Sequence, residues 1–509
     1  NTISGYCSSI VGGILNTASA TNTFIGGGSN NVACGINSSV VGGTLNTASG
    51  TCSFIGGGCN NKTLSQAFLS FIGGGSNNSQ YGEDSFIGGG SSNAIENNND
   101  SGVIVGGHNN KIKDTTSYGV IGGGLCNTLS SYSEGSSIVG GRNNTVSYYS
   151  SHSFIGGGSC NSFSGNYGVD NSVIVGGQLN TASSDCSFIG GGLCNQVTFQ
   201  YSSVVGGRLN ISSNHCSFIG GGSCNQVTGL NSSVVGGCNN IASGSYSSIV
   251  GGSSNQATAL NSSVVGGTLN TASGNCSFIG GGDKNLIPVL RANSSIVGGT
   301  LNTASANCSF IGGGENNQVN CNFSSIIGGT LNTASGDYSF VGGGYCNQTL
   351  SSYYYNSIVG GRENQICCNT RNNFIGGGLL NKIAAPSSGL NSIVGGCGNT
   401  ISSTYQEGYN IIAGGCGNTI SDYDVTHNFI GSGFNNSISG YRAQCSSIVG
   451  GSANTISGYT TGSSILGGIN NTVNHGCAFI IGANITTTAA CTTFMNNACV
   501  LGTTRTISL

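Results

Sequence analysis

Asn37-Ser38-Ser39-Val40-Val41-Gly42-Gly43-Thr44-Leu45-Asn46-Thr47-Ala48-Ser49-Gly50 is one turn of a pattern that fills almost the whole chain. The segment is too short for a strand–helix–strand unit but long enough for two short strands and two turns. Ser39-Val40-Val41 is expected as the first strand. Gly42-Gly43 then allows a turn with positive φ, the second strand surrounds Asn46-Thr47-Ala48, and Gly50 closes the coil. Helix is disfavoured, because glycine is too dense and no apolar stripe recurs every 3.6 residues.

Related copies begin at Ser53, Ser203, Ser217, Ser277 and Ser309, with Ser-Phe-Ile-Gly-Gly-Gly alternating with Ser-Val-Val-Gly-Gly. A short fixed period sets the architecture before any local motif does. The expected fold is all-β: a parallel β-solenoid (β-roll) of about 29 short coils with two strands per coil. At roughly 4.8 Å per coil it would be a rod on the order of 140 Å long. Residues 1–482 are read as the repeat rod and residues 483–509 as a C-terminal cap or transition segment.

The two strands differ. Around Asn46 only Ala48 is apolar, and its equivalents are Val146, Val197, Ile401 and Ile456. The first strand instead carries adjacent apolar pairs: Val40-Val41, Phe54-Ile55, Ile249-Val250 and Phe310-Ile311. Neighbours along a strand face opposite ways, so one of each pair enters the coil and the other points out. Repeated coil after coil, this predicts a long external apolar stripe. Soluble monomers rarely expose such a patch, and another copy of the chain is expected to cover it.

The recurrent Asn46, Asn127, Asn195, Asn270 and Asn332 are expected to form a structural ladder, with side-chain amides bonding from coil to coil. Glycine corners recur 14 to about 20 residues apart, and the extra residues fall mostly after the asparagine strand, as in 62–69, 165–171 and 351–356. Such insertions line one edge of a solenoid, often its binding edge. Tyr148, Tyr149, Tyr167, Tyr353, Tyr354 and Tyr355 sit there as possible surface contacts with sugars or proteins, or as rings packed over the corner.

Composition narrows the function. Only 5% of the 509 residues are charged and the net charge is −3, so no basic stripe is available for nucleic acid. No run of 18 apolar residues exists to span a membrane, and no membrane insertion is expected. The glycine-rich corners lack the helix and the Gly-Lys-Ser/Thr sequence of a phosphate-binding loop. His108, His152, His215, His427 and His475 lack metal-ligand spacing. Glu83-Asp84 and Asp422/Asp424 read as solvated loop charge. No catalytic residue, cofactor or metal is expected, and the chain is not read as an enzyme.

The 23 cysteines include Cys186 and Cys216, and Cys276 and Cys308, which hold one slot two repeats apart. Two coils separate Cα atoms by roughly 9.6 Å, beyond disulfide reach. Most of the cysteines are therefore expected as small buried apolar residues. Cys367-Cys368 and the pair Cys491 and Cys499 stay open, and so does the redox compartment.

Asn261-Ser-Ser-Val-Val-Gly-Gly and Asn293-Ser-Ser-Ile-Val-Gly-Gly, at roughly 14-residue spacing, resemble the head repeats of trimeric autotransporter adhesins. They also resemble similar repeats in tail fibres of phages and other large viruses. The resemblance implies a left-handed roll, a homotrimer, and attachment to a host glycan or protein receptor. Double and triple glycine corners and many cysteines depart from the bacterial heads and favour a virion protein made in a reducing cytoplasm. The expected role is thus a viral fibre or spike shaft presenting loops to a host surface, located on the virion or another extracellular surface. The alternatives are a bacterial adhesin head, or a structural filament or coat protein without a receptor. Residues 493–502 look like the junction before self-cleaving chaperone domains in viral fibres, which implies Leu509 as a processed end. Because the chain opens on Asn1 with the repeat already running at Ile10, an upstream segment is also expected.

Overall fold

The computed structural model describes residues 1–496 apart from 166–167, 352–353, 387–388 and 405–407. The described residues form an all-β parallel solenoid, with two strands per coil, no helix and about 30 coils against the expected 29. They group into two compact units, 1–257 and 258–509, built on the same plan.

In the first unit, strand Ser39–Val40 lies in register between Phe24–Ile25 and Phe54–Ile55. Strand Thr47–Ala48 lies between Val32–Ala33 and Lys62–Thr63. A third column of single bridges joins Ser29, Thr44 and Cys59. In the second unit, Ser295–Ile296 pairs with Phe278–Ile279 and Phe310–Ile311, while Gln318–Val319 pairs with Thr303–Ala304 and Thr333–Ala334. The shortest regular coil is 15 residues, as Val40 opposite Ile55 shows, one more than the segment 37–50. After Gly482 one further strand, Thr493–Met495, stacks on Phe479–Ile481.

Strands shrink to two residues because the backbone leaves the extended region three times per coil. Gly43 has φ 88°, Leu45 φ 62° and Cys52 φ 58°. The two non-glycine corners are left-handed positions that L-residues seldom occupy. Inter-coil bonds hold them: the Leu45 N–H donates to Ser29 O at 3.0 Å and the Cys52 N–H to Ile36 O at 2.8 Å. Long coils add a second such corner, as at Tyr149 and His152 (φ 57° and 53°).

The two glycines of each corner differ. A Cβ on Gly237, whose φ is 90°, would collide with the Gly252 carbonyl oxygen and the Asn240 amide, whereas one on Gly236 would meet nothing within 4 Å. Gly237→Ala is therefore expected to destabilise its coils by roughly 2–4 kcal/mol. Gly236→Ala should leave the melting temperature of the single chain almost unchanged. Thermal denaturation of both variants checks the contrast.

The lumen is filled to match coil length. Fifteen-residue coils seat small partners, such as Val40 with Ala48 and Val234 with Ala242, whereas longer coils enclose Ile112, Leu129 and Phe163. A longer perimeter encloses more volume, and close packing requires larger side chains to occupy it.

Candidate binding surfaces

Asn46, Asn127, Asn195, Asn270 and Asn332 are fully buried. Each bonds to backbone rather than amide to amide. The Asn195 amide donates to Gly191 O (2.8 Å) in its own coil and Gly207 O (3.0 Å) in the next, while its Oδ1 accepts the Asn210 N–H (3.0 Å). The same three bonds recur at Asn46 and Asn332. A second buried column, serine in most coils, becomes asparagine at Asn356, Asn373, Asn391, Asn410 and Asn428, with the same side-chain-to-backbone step between coils. These asparagines line the interior and are not available to a ligand.

The outer face shows two alternating patterns. In Ser-Val-Val coils the outward residue follows the buried one: Val40 is fully buried and Val41 is 46% exposed. In Phe-Ile-Gly coils the outward residue precedes it: Ile55 is buried, and Phe54 leans over Gly56, where a Cβ would lie 3.5 Å from the ring. Where three Phe coils follow one another, the rings of Phe54, Phe71 and Phe86 stack with centroids 4.9 and 5.1 Å apart. Leu45, Leu179, Leu209 and Leu301 add exposed apolar corners.

Tyr148 and Tyr149 lie at the insertion edge, each about half exposed. Tyr149 stacks on Tyr132 at 4.8 Å, and Tyr148 meets both rings edge-on. Partial burial, then the neighbouring phenols, hold the Tyr148 hydroxyl above the ordinary tyrosine range. Tyr354 and Tyr355 join Tyr338, which stacks on Phe323. A further stack, Tyr423–Tyr441–Tyr459, was not singled out from sequence, although one tyrosine per coil in successive long coils signals it. Tyr167 and Tyr353 lie outside the described residues. The rings do pack over one another, yet Tyr148, Tyr149, Tyr354 and Tyr355 remain exposed.

Two sequence expectations need correction. Among the described cysteines only Cys367 is buried, and the rest are intermediate or exposed. Many occupy left-handed corners, among them Cys52, Cys126, Cys186, Cys216, Cys276 and Cys308, from which the side chain points outward. Asp424 is not solvated loop charge either: it is 6% exposed and pairs with Arg442 at 3.4 Å, while Glu83 and Asp84 are exposed as expected.

Adjacent cysteines also meet. Cys397 and Cys416 are bridge partners in successive coils. Partial burial and the Cys416 thiol raise the Cys397 pKa. A hydrogen bond from Cys477 does the same at Cys491. Cys368 Sγ lies 3.2 Å from Cys367 Sγ, and burial with this neighbour pushes the Cys367 thiol up to about 11. These contacts lie in coils where the alternation of residue types breaks down.

One cleft of about 350 Å³ opens beside Tyr81, lined by Gln66, Phe68, Glu83, Asn98 and Asp100. Among the described residues, no group of three or more His, Cys, Asp and Glu is arranged to hold a metal ion, and no helix is long and apolar enough to cross a membrane. No protein-family model matches the chain, and no similar sequence is found among curated proteins.

Proposed function

We propose that this chain is the shaft of a homotrimeric fibre or spike on a virion surface, with its corner segments directed at a host glycan or protein. The observation that carries the reading is a column of glycines with open space beside them on the outer face. At Gly42, Gly106, Gly140, Gly206 and Gly236 a Cβ would meet nothing within 4 Å. Glycine at such positions suits close approach of another backbone from outside. Exposed Val41, Val205 and Val235 stand immediately before this column, and exposed Leu45 and Leu209 lie three residues beyond it.

A partner that fits this face coil after coil must itself repeat at the coil spacing, and further copies of the same chain do. The number three and the virion setting follow from the resemblance to fibre and adhesin repeats. The bacterial adhesin head rests on the same resemblance. The structural filament has its own support: the surface carries little charge, and the tyrosine stacks turn ring faces toward each other rather than outward.

Light scattering with electron microscopy of the native particle separates these readings. A three-chain particle is expected, and a single-chain particle overturns the shaft. The assembled particle is then screened on a glycan array and on host cells. Attachment through the insertion edge predicts that Tyr148→Ala with Tyr354→Ala weakens binding about tenfold or more, as losing one aromatic contact at each site implies. An intact trimer that binds neither glycan nor cell supports the structural filament.

A further inference from the structure

We propose that Cys397 with Cys416, and Cys477 with Cys491, are disulfide-forming sites that staple successive coils of the second unit when the chain meets an oxidising environment. The two pairs share an arrangement absent from the 15-residue repeats described above. Elsewhere a cysteine column is interrupted in every other coil: Leu209 separates Cys194 from Cys224, and Tyr201 separates Cys186 from Cys216. In these two pairs the interrupting residue is gone.

Cys397 and Cys416 are direct partners in the single-residue bridge column, inside the repeated pentapeptide Gly-Gly-Cys-Gly-Asn. Cys491 stacks on Cys477 at the opposite corner: its N–H donates to Gly476 O at 3.0 Å, just as the Cys477 N–H donates to Thr461 O at 2.8 Å. Both are left-handed corner residues, with φ 57° and 52°. Adjacent parallel positions lie about 4.8 Å apart, within the roughly 4.4–6.8 Å range of disulfide Cα separations. Each pair is also in side-chain contact, and all four thiols are at least partly accessible. Cys367 and Cys368 do not belong with them. Consecutive Cα atoms across a trans peptide are about 3.8 Å apart, below that range, and Cys367 is buried.

The chemistry is thiol–disulfide exchange with a low-molecular-weight disulfide as oxidant. One protein thiolate attacks a sulfur of the small disulfide, releases one small thiol and leaves a mixed disulfide. The second protein thiolate displaces the other small thiol. Two protein thiols and one small disulfide become one protein disulfide and two small thiols. The chain would fold with these thiols reduced and lock these coils after leaving the reducing compartment.

The test uses the full chain treated with oxidised glutathione, alkylated, digested with chymotrypsin without reductant and read by mass spectrometry. Chymotrypsin separates Cys397 from Cys416 at Tyr409, and Cys477 from Cys491 at Phe479. Peptide pairs joined 397–416 and 477–491, each two hydrogens lighter than the separate peptides, are expected. Recovery of the four cysteines as free thiols, as glutathione adducts or in other pairings overturns the assignment. Cys416→Ser should lose the first link and keep the second. Amide exchange at Thr400–Ser403 and Thr419–Asp422 should slow about tenfold on oxidation of the native chain and not in Cys416→Ser. Equal exchange in both would show that the link does not staple the coils.

Discussion

Asn195→Ala is expected to open the solenoid at its own coil. The substitution leaves the Asn210 N–H without its acceptor and the Gly191 carbonyl oxygen without a donor, while the Gly207 carbonyl keeps only the Leu193 N–H. These groups surround a fully buried side chain, so water cannot replace the lost partner without entering the stack. An orphaned buried polar group costs about 1–3 kcal/mol, and two of them put the local penalty at about 2 kcal/mol or more. In a solenoid each coil is stabilised only by its neighbours, so the damage should be local. Hydrogen exchange should rise sharply at Gln196–Val197 and Ile211–Ser212, with coils a few turns away little changed. Asn195→Asp is a stringent companion: it keeps the acceptor and loses the donor, and a buried carboxylate facing two carbonyl oxygens should be at least as damaging. If both variants exchange like the parent, the ladder is dispensable.

Replacing Val41, Val205 and Val235 together with Asp is expected to reduce the particle to single chains. All three are about half exposed in the chain, and their backbone pairing does not depend on the side chain: Val41 N–H donates to Ile55 O and Val205 N–H to Ile219 O. Surface substitutions of this kind usually change stability by no more than about 0.5 kcal/mol each, so the single chain should keep its melting temperature. Buried against another copy, each carboxylate would instead lose its water without gaining a cation, a penalty of several kcal/mol. Sedimentation should therefore register a threefold drop in mass. The triple Ser variant should fall between parent and Asp forms. A particle whose mass survives the Asp variant is held together by some other face.

The repeat was legible because backbone constraint and residue type coincide in it. Gly43 recurs because a side chain there would strike the next coil, and Asn46 because one short amide reaches backbone groups in two coils. Val40 and Val41 could be assigned opposite faces from strand alternation alone. The cysteines misled because their slot was read as apolar and hence internal. The same slot holds Asn37, Cys52 and Leu69, all with positive φ, and tolerance of polar and bulky residues alike marks an outward corner. Asp424 misled for a different reason. Its partner Arg442 arrives from the next coil, and local composition does not reveal which charges a long coil brings together. Cys397 and Cys416 are readable in the sequence, since identical pentapeptides in consecutive coils must stack, whereas the cysteines compared above lie in alternate coils.

Irregular coil length has a consequence for how copies would align. Two identical periodic faces laid side by side have many near-equal matches, each slipped by a whole number of repeats, and nothing in a uniform face prefers one. This chain is not uniform. Its 15-residue steps give way to 17- and 19-residue steps between Asn93 and Asn180, and to steps of 17 to 19 residues between Asn347 and Asn471. Wide coils facing narrow ones in a slipped pairing would leave gaps, and only the unslipped pairing sets wide against wide. In an assembly of copies the departures from perfect repetition would thus act as alignment marks, distinguishing one correct mating from many sliding errors.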